Sequence, residues 1–501
     1  MSDPLSDSAT DAEHIDVLII GAGISGINAA YHLSTQLPDR SFVVLDALES
    51  FGGTWLTHTF PGVRSDTELF TLGYEFKPWT GAPYASGAEI HAYLGEVIEE
   101  NDLGGHFRYQ HKITDARWSS EAQCWTVTGS RSDTGEPITM TSRFLWMCHG
   151  YFRHSQGHTP TWPGMEDYQG RWIHPQAWPA EPEIDGREVV VIGSGATAAT
   201  LVPAIADQCG HITILQRSPT YFFQSPNVDV LADQLRSLDV PDEWIHEIVR
   251  RKAIAEMQSL TQVAAVHPEL TKAGLINMVS SQLPEDYEVD LHFTPRHLPA
   301  QQRVARILDG DLFRAISDGK VTMVTDEIET FTADGILTKG GQRLHADVVV
   351  TATGFDLTVF GDIAFSVDGE PVDFSDCVTY RGIMFTGIPN MAWTFGALRL
   401  SWTMRAELVS QFICRLFAHM DELGAGSVTP GLRSQDVGME LLPYIDPAEF
   451  SPGYLQRSIA LMPKSGSSTE WRLSLDYWDE REVLPIANLD DGCLAYIPRV
   501  G

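Results

Sequence analysis

The stretch Val17-Leu-Ile-Ile-Gly21-Ala-Gly23-Ile-Ser-Gly26 decides the fold, because it joins an apolar run to glycines spaced Gly-x-Gly-x-x-Gly. The apolar run predicts a buried parallel strand, and the glycines predict a sharp turn from that strand into a helix. Glycine lets the backbone approach a pyrophosphate, and free N–H groups at the helix start attract its charge. The stretch therefore predicts a dinucleotide-binding site.

A second copy of the pattern occurs near the middle of the chain. It reads Val189-Val-Val-Ile-Gly193-Ser-Gly195-Ala-Thr-Ala198. Its last position needs only a small residue, so Ala198 fits as well as glycine would. One copy alone is a weak signal, since a surface loop can carry it by chance. Two copies, each after a β-branched strand, predict an α/β protein with two Rossmann-like domains.

The strand that follows each copy indicates which nucleotide binds there. Asp46 ends the run Phe42–Leu45, 20 positions after Gly26, where a carboxylate accepts hydrogen bonds from ribose and repels a 2′-phosphate. Arg217 follows the second copy, 19 positions after Ala198, and its guanidinium suits a phosphate dianion. The first site is therefore predicted to bind FAD or NAD and the second to bind NADP, which implies electron transfer between two cofactors.

Charge and cysteine usage exclude several classes of protein. The chain has 67 acidic and 34 basic residues, a formal net charge of −33, so its field repels nucleic acid and anionic membranes. Its six scattered cysteines form no Cys-x-x-Cys pair, which argues against a disulfide scaffold, a dithiol reductase and a zinc site, and we predict no metal. The polar start and the lack of an 18-residue apolar run predict no signal peptide, no membrane span and a cytoplasmic protein.

Composition along the chain predicts its division into segments. Turn formers cluster after residue 151, and apolar residues at helical spacing follow residue 227. We expect a disordered leader (1–13), an FAD-binding domain in two parts (14–150 and 375–501), a linker with the first part of an NADP-binding domain (151–226), a helical insertion (227–290) and the second part of the NADP-binding domain (291–374).

A motif between the two nucleotide units resembles that of a known enzyme family. Tyr168-Gln-Gly-Arg-Trp-Ile-His174-Pro-Gln-Ala-Trp178-Pro179 resembles the signature of type I Baeyer–Villiger monooxygenases, with tyrosine where phenylalanine is usual. Gly52–Trp55, Pro61–Asp66, Gln216–Thr220, Ala352–Gly354 and Pro389–Asn390 also match that family. The sequence from Arg64 to Trp79 is most similar to that of the ethionamide-activating subgroup of this family.

This resemblance implies a chemistry with FAD, NADPH and O₂. NADPH reduces FAD, the reduced flavin traps O₂ as a C4a-peroxide, and the peroxide adds to a ketone, which rearranges to an ester or lactone. Such a site must hold a developing anion and exclude water. The partners implied are a small ketone, or a sulfide as the alternative, and O₂. Monomer and homodimer both stay open.

The resemblance also assigns roles to particular residues. Arg303 is expected to be the permanent catalytic cation, with Arg296 and Arg306 as competitors, and Asp66 is expected to pair with it. The expected cofactor-binding residues are Gly21, Gly23, Gly26, Asp46, Gly53, Thr54, Trp55, Asp66, Gly193, Gly195, Thr197, Ala198, Arg217, Ser218, His174 and Trp178. Of these, Trp55 is expected to lie against the flavin, and Thr197 and Ser218 are expected to contact the NADP phosphates. His174 and Trp178 are expected to couple domain positions through the linker. The segments 297–300 and 397–400 depart from the family and are expected near the substrate.

Three other functions stay open on the sequence. A heteroatom-oxidising flavin monooxygenase would act on a sulfide, thioamide or amine. A pyridine-nucleotide reductase would pass electrons to a partner protein, although the missing dithiol pair weakens that interpretation. A non-catalytic scaffold would keep the nucleotide folds alone, which the presence of Asp46, Arg217 and Trp178 argues against.

Overall fold

A computed structural model describes residues 12–500 of the chain. Most of the predicted leader lies outside the described residues. The last leader position, Glu13, instead begins the strand Glu13–Ile20, where its carboxylate pairs with Arg108. Glu13 therefore belongs to the first sheet.

The first glycine stretch belongs to a mixed sheet. Glu13–Ile20 lies parallel to Phe42–Leu45 on one side and to Pro137–Met147 on the other. Pro137–Met147 is long enough for its other edge to pair with two further strands, the antiparallel Cys124–Arg131 and the parallel Met391–Trp393. The sheet is completed by Phe107–Arg108, His111–Ser119, Ala364–Val367 and Glu370–Pro371. Met391–Trp393 brings the chain after residue 375 back to this sheet.

The second glycine stretch belongs to an all-parallel sheet. Its strand order is Val321–Thr325, His211–Gln216, Glu188–Ile192, Val348–Thr351 and Arg171–Ile173. Two of the three middle strands, Glu188–Ile192 and Val348–Thr351, are largely apolar and buried, as expected of a parallel sheet covered on both faces. Arg171–Ile173 lies within the segment predicted as linker, so the linker itself supplies an edge strand.

The chain crosses between the two sheets twice, and the crossings pair with each other. Phe152–Gly157 leads out of the first sheet, Phe355–Leu357 leads back, and the two are antiparallel. The remaining strands form small sheets: Phe222–Ser225 with Ala305–Leu308; Ile328–Thr332, Gly335–Thr338 and Arg343–His345; Thr379–Tyr380 with Met384–Phe385; Ala425–Pro430 with Leu494–Pro498; and Leu441–Pro443 with Lys464–Gly466. The paired crossings place both nucleotide units beside one junction.

Helices cover both sheets and form the insertion. The α-helices are Ile24–Gln36, Thr54–Thr57, Leu69–Leu72, Gly87–Glu100, Ala196–Ile205, Val230–Ser237, Asp242–Val266, Pro268–Ser280, Val289–His292, Asp311–Ser317, Trp402–Leu423, Gly453–Ser458 and Tyr477–Val483. Four of them fall at residues 230–292, a stretch that overlaps the segment 227–290 predicted as a helical insertion. The longest helix of the C-terminal part, Trp402–Leu423, ends at Gly424, which adopts the left-handed conformation with φ of 62°.

Candidate functional site

The first glycine cradle has no room for larger residues. A Cβ at Gly21, where φ is 110°, would lie 2.5 Å from the Cys148 carbonyl oxygen. A Cβ at Gly26 would lie 1.8 Å from the Gly21 oxygen. Gly23 precedes the helix Ile24–Gln36 and leaves the backbone open beside Gly53. These glycines therefore fix a tight strand-to-helix turn with an accessible helix start, which fits a pyrophosphate.

Asp46 stands at the end of the neighbouring strand. Its two carboxylate oxygens accept backbone hydrogen bonds, Oδ2 from Ala22 at 2.7 Å and Oδ1 from Leu48 at 2.9 Å. Burial raises the pKa of Asp46 above its ordinary value, and these backbone donors offset only part of that rise. Each oxygen keeps a further lone pair. The side chain is thus fixed beside the glycine turn and can still accept a hydrogen bond from a ribose hydroxyl.

The Gly52-Gly53-Thr54-Trp55 segment packs against the first cradle. The Gly52 N–H donates to the Ala22 carbonyl at 3.0 Å. Gly53 has φ of 55°, and a Cβ there would lie 3.2 Å from Gly23 Cα. Thr54 begins a short helix, and Trp55 on it is half-buried against the first core. Gly53 is therefore needed for the close approach of two backbone turns.

The second cradle repeats the geometry of the first. At Gly193, φ is 114° and a Cβ would lie 2.4 Å from the Ala352 carbonyl oxygen. Gly195 faces open space, with no heavy atom of the described chain within 4 Å of a built Cβ. Thr197 is half-exposed at the start of the helix Ala196–Ile205, and Ala198 is buried against the sheet. The small size of Ala198 is thus used for packing.

Arg217 and Ser218 lie where the strand His211–Gln216 ends, and both are exposed. Within the described residues Arg217 makes no ion pair as short as 4.0 Å, although its charge reaches Glu327, whose pKa is lowered first by Lys339 and then by Arg217. A guanidinium in this position keeps its donors available for a phosphate.

Arg303 and Asp66 are brought together from different domains. Arg303 Nη1 donates to Asp66 Oδ2 at 3.3 Å. The Arg303 side chain is 40% exposed and that of Asp66 35% exposed, so both groups remain reachable from the junction. Arg306, a competitor, donates instead to the Asp66 backbone oxygen at 3.2 Å and stacks on Tyr84. Arg296 is exposed on the surface.

An aromatic wall adjoins this pair, and sequence reasoning did not identify it as a unit. Burial raises the pKa of Tyr151 well above its ordinary value, and the charges of Arg303 and Asp66 reach the same phenol. Tyr151 stacks on Trp402 at 5.2 Å between ring centroids, and Trp402 Nε1 donates to Ser25 Oγ of the first cradle at 2.8 Å. The wall therefore connects the ion pair to the first dinucleotide site.

The linker motif lies at the junction of the domains. His174 Nδ1 accepts from the Gln176 N–H at 3.1 Å, and the imidazole packs so closely on Gly157 that a Cβ there would clash. Trp178 packs against the core of the second domain. His174 and Trp178 thus tie the linker to the first crossing strand and to the second sheet, respectively.

The two segments that depart from the family lie in different surroundings. The His297 carbonyl accepts from the Tyr221 hydroxyl, and Arg399 donates to the Glu449 backbone oxygen. Leu398 is buried in the same cluster as Trp393 and Phe395. The structure therefore accounts for these residues by packing, and their proximity to substrate stays a prediction.

The backbone geometry of both cradles fits a bound dinucleotide. In each, a methyl group on the first glycine would strike a backbone carbonyl, and the next glycine leaves space in front of the helix start. A carboxylate follows the first cradle and an exposed guanidinium follows the second. Among residues 12–500 no cluster of histidine, cysteine or carboxylate side chains could hold a metal ion, and no helix is long and apolar enough to cross a membrane.

The fold and the site define a flavin-dependent monooxygenase. Residues 19–77 match the model of an NAD(P)-binding Rossmann-like domain, and residues 82–227 match a flavin-binding monooxygenase-like model. The chain is 41% identical to the FAD-containing monooxygenase EthA of Mycobacterium tuberculosis strain H37Rv, over 97% of this chain and 98% of that protein. EthA of Mycolicibacterium smegmatis is also 41% identical, over 97% of both chains.

The chain belongs to the family of FAD-containing monooxygenases, which confirms the family relationship predicted from the sequence motifs. Membership and the fit of the two cradles support FAD and NADP(H), the predicted cofactors. Among solved structures, an oxidized steroid monooxygenase bound to NADP gives a TM-score of 0.77 at 20% identity, over 97% of this chain and 100% of that one. Cyclohexanone monooxygenase from Rhodococcus sp. Phi1 bound to NADP⁺ gives 0.75 at 21% identity, with the same coverage. These likenesses confirm the predicted α/β fold.

Proposed function

We propose that the protein is a Baeyer–Villiger monooxygenase that uses NADPH and O₂ to convert a ketone into an ester or lactone. The observation that carries the proposal is the Arg303–Asp66 contact beside Tyr151 and Trp402. It supplies a permanent cation next to a water-excluding aromatic wall, between two dinucleotide cradles. One ketone, O₂, NADPH and a proton give one ester, water and NADP⁺.

Bound FAD, once reduced by NADPH, would supply the activation of O₂, and the residues of the chain would bind and orient both cofactors. Asp46 would accept a hydrogen bond from the ribose of FAD, Arg217 and Ser218 would hold the 2′-phosphate of NADPH, and Thr197 would add a hydroxyl at the helix start. These contacts favour NADPH over NADH, because only the former presents a phosphate dianion to the Arg217 guanidinium.

Arg303 carries the electrostatic part of the reaction. Negative charge develops on the substrate carbonyl oxygen when an oxygen nucleophile adds to it, and a guanidinium does not deprotonate at any working pH. A fixed cation aimed at developing charge is the strongest single contribution that a site of this kind offers. Asp66, by holding Nη1, acts as the positioning residue that keeps the guanidinium at the junction.

Oxidation of a sulfide is the second candidate. The wall formed by Tyr151, Phe152, Phe355 and Trp402 is aromatic throughout, with Phe152 and Phe355 at 4.3 Å between ring centroids. Such a wall suits a soft, apolar sulfide. Oxygen transfer to sulfur develops no carbonyl charge, so this activity depends less on Arg303.

A substrate panel separates the two. Purified protein is incubated with NADPH and, in turn, cyclic, linear and aryl ketones and a dialkyl or aryl sulfide, and NADPH loss and product are both measured. Substrate-dependent NADPH loss with an ester product supports the proposal. A sulfoxide with no ester from any ketone would replace it by the second candidate. A preparation that takes up no FAD would contradict both.

A further inference from the structure

A short C-terminal helix, Gly453–Ser458, is tied to two parts of the junction. In front of it, the Ser451 N–H donates to the Gln301 carbonyl at 2.9 Å, two residues before the proposed catalytic cation. At its other end, Arg457 Nη2 donates to the Phe355 carbonyl at 2.8 Å, on the strand that leads back to the first sheet. The helix is therefore held against both the cation-bearing segment and the crossing strands.

Tyr454 on this helix extends the aromatic wall. Its ring centroid lies 6.3 Å from that of Tyr151 and 5.9 Å from that of Phe152. Tyr151 thus contacts both Trp402, on which it stacks, and Tyr454. The wall therefore continues from the first domain onto the C-terminal segment.

The hydroxyl of Tyr454 is buried and has no hydrogen-bond partner of good geometry among the described residues. A buried polar atom without a partner is costly, so nearly all such atoms in native proteins are paired with protein, water or ligand. Arg303 is its charged neighbour: desolvation lowers the pKa of that guanidinium, but Tyr454, Tyr151 and Asp66 raise it more. A guanidinium has donors only, so Arg303 cannot accept the Tyr454 proton.

Tyr151 is the other polar neighbour of this hydroxyl. Burial raises the pKa of Tyr151 well above its ordinary value, and Tyr454 raises it further. A rise of this kind is expected when the neutral phenol donates its proton to a neighbour, here the Tyr454 oxygen. Arg303 and Tyr151 therefore both present donors to that oxygen. The Tyr454 O–H is left without an acceptor in the described part of the chain, which points to a ligand that supplies one.

We infer that Tyr454 is a second catalytic donor, whose hydroxyl donates a hydrogen bond to the carbonyl oxygen of the ketone beside Arg303. The inference deepens the proposed function and rests on it. Negative charge grows on that oxygen when an oxygen nucleophile adds to the carbonyl, so a fixed O–H stabilises the transition state more than the bound ketone. Donors onto the Tyr454 oxygen strengthen its own O–H as a donor. The phenol keeps its proton throughout.

Removal of the hydroxyl alone tests this inference on the FAD-loaded protein. For Tyr454→Phe, which keeps the ring in the wall, we expect the kcat for ester formation to fall about 10- to 100-fold, as for one lost hydrogen bond to developing charge. Flavin reduction by NADPH should stay close to the wild-type rate, because both dinucleotide cradles are intact. Stopped-flow absorbance measures the reduction, and chromatography measures the ester.

Tyr380→Phe is the matched control. The Tyr380 hydroxyl is also buried without a partner among residues 12–500, but its ring lies in the core of the first domain against Trp471. Its loss should therefore leave flavin reduction and ester formation unchanged. Flavin content and the unfolding midpoint verify that each variant is folded.

A second variant separates proton donation from packing. Replacement of Tyr454 by 3,5-difluorotyrosine keeps the ring and the hydroxyl, but a fluorinated phenol ionises at lower pH than tyrosine, whose ordinary pKa is about 10. A phenolate has no proton to donate. The pH above which ester formation declines should therefore fall by about one unit or more relative to wild type, since activity is lost as pH rises through the phenol pKa.

The possible failures are distinguishable. Wild-type ester formation by Tyr454→Phe would overturn the inference, and so would an equal loss of flavin reduction. A slow Tyr454→Phe combined with an unshifted pH profile of the difluorotyrosine protein would also overturn it, because the hydroxyl would then act by packing alone. Wild-type protein that binds FAD and consumes NADPH but forms no ester would instead contradict the proposed function. A selective loss of ester formation with the earlier alkaline decline supports the inference.

Discussion

Arg303 Nη1 lies 3.3 Å from Asp66 Oδ2, although 237 residues separate the two in the chain. Arg303 precedes the strand Ala305–Leu308, and Asp66 precedes the short helix Leu69–Leu72 beside the first cradle. A pair this exposed contributes only about 0–1 kcal/mol to stability. Its significance is therefore positional, because it holds a permanent cation at the junction of the two nucleotide domains.

Removal of that cation should separate flavin reduction from oxygen transfer. For Arg303→Ala we expect NADPH to reduce the flavin at close to the wild-type rate, since the dinucleotide cradles are intact. The rate of ester formation should fall by about 10²–10³, as for loss of one preorganised group that stabilises developing charge. Stopped-flow absorbance follows flavin reduction, and chromatography follows the product.

Arg296→Ala is the matched control for this experiment. Arg296 is exposed and near Arg303 in sequence, so its loss should leave both rates unchanged. Asp66→Asn should give an intermediate effect, because the guanidinium stays but loses its anionic partner. Normal ester formation by Arg303→Ala would show that the cation is not used.

Arg217 should determine the choice of nicotinamide cofactor. Loss of a charged hydrogen bond to a phosphate costs about 1.5–3 kcal/mol of binding free energy, which corresponds to a dissociation constant about 10- to 100-fold higher. For Arg217→Ala we therefore expect the KM for NADPH to rise by that factor while the KM for NADH changes little. Arg343→Ala, an exposed arginine of the same domain, serves as the control. Equal effects on NADPH and NADH would exclude a phosphate contact.

Two glycines of the second cradle should respond differently to the same added methyl. At Gly193, where φ is 114°, a Cβ would lie 2.4 Å from the Ala352 oxygen, so Gly193→Ala should lower the unfolding temperature. At Gly195, where φ is −76° and no described heavy atom lies within 4 Å of a built Cβ, the methyl is compatible with the fold. Gly195→Ala should instead weaken NADP⁺ binding at unchanged stability. Calorimetry measures both quantities, and identical behaviour of the two variants would contradict this assignment.

The local part of the site could be predicted from the sequence because its determinants are close together in the chain. Gly21, Gly23 and Gly26 lie within a single strand–turn–helix unit, and Asp46 follows the next strand. The helices of the segment after residue 227 could be predicted for the same reason, since that prediction rests on apolar spacing within single elements. The Arg303–Asp66 contact could be expected only from family resemblance, because no local pattern joins residues 237 apart.

The rest of the candidate site depends on contacts between residues far apart in the chain, which no local sequence pattern predicts. Trp402 reaches Ser25 across 377 positions, and this hydrogen bond fixes the aromatic wall to the first cradle.

A buried arginine joins the insertion to the first domain. Arg250 lies in the helix Asp242–Val266, and its Nη2 is 3.2 Å from Glu407 Oε2, with both side chains at most 6% exposed. Its Nη1 also donates to the Phe70 carbonyl at 2.9 Å.

Loss of one partner of a buried ion pair leaves the other charge without compensation, which costs about 3–5 kcal/mol. Arg250→Ala should therefore lower the unfolding temperature markedly and expose the insertion to limited proteolysis. Arg251→Ala is the matched control, because the neighbouring Arg251 side chain is 79% exposed and its loss should change stability by less than about 0.5 kcal/mol. Similar unfolding temperatures and cleavage rates for the two variants would mean that apolar contacts alone hold the insertion in place.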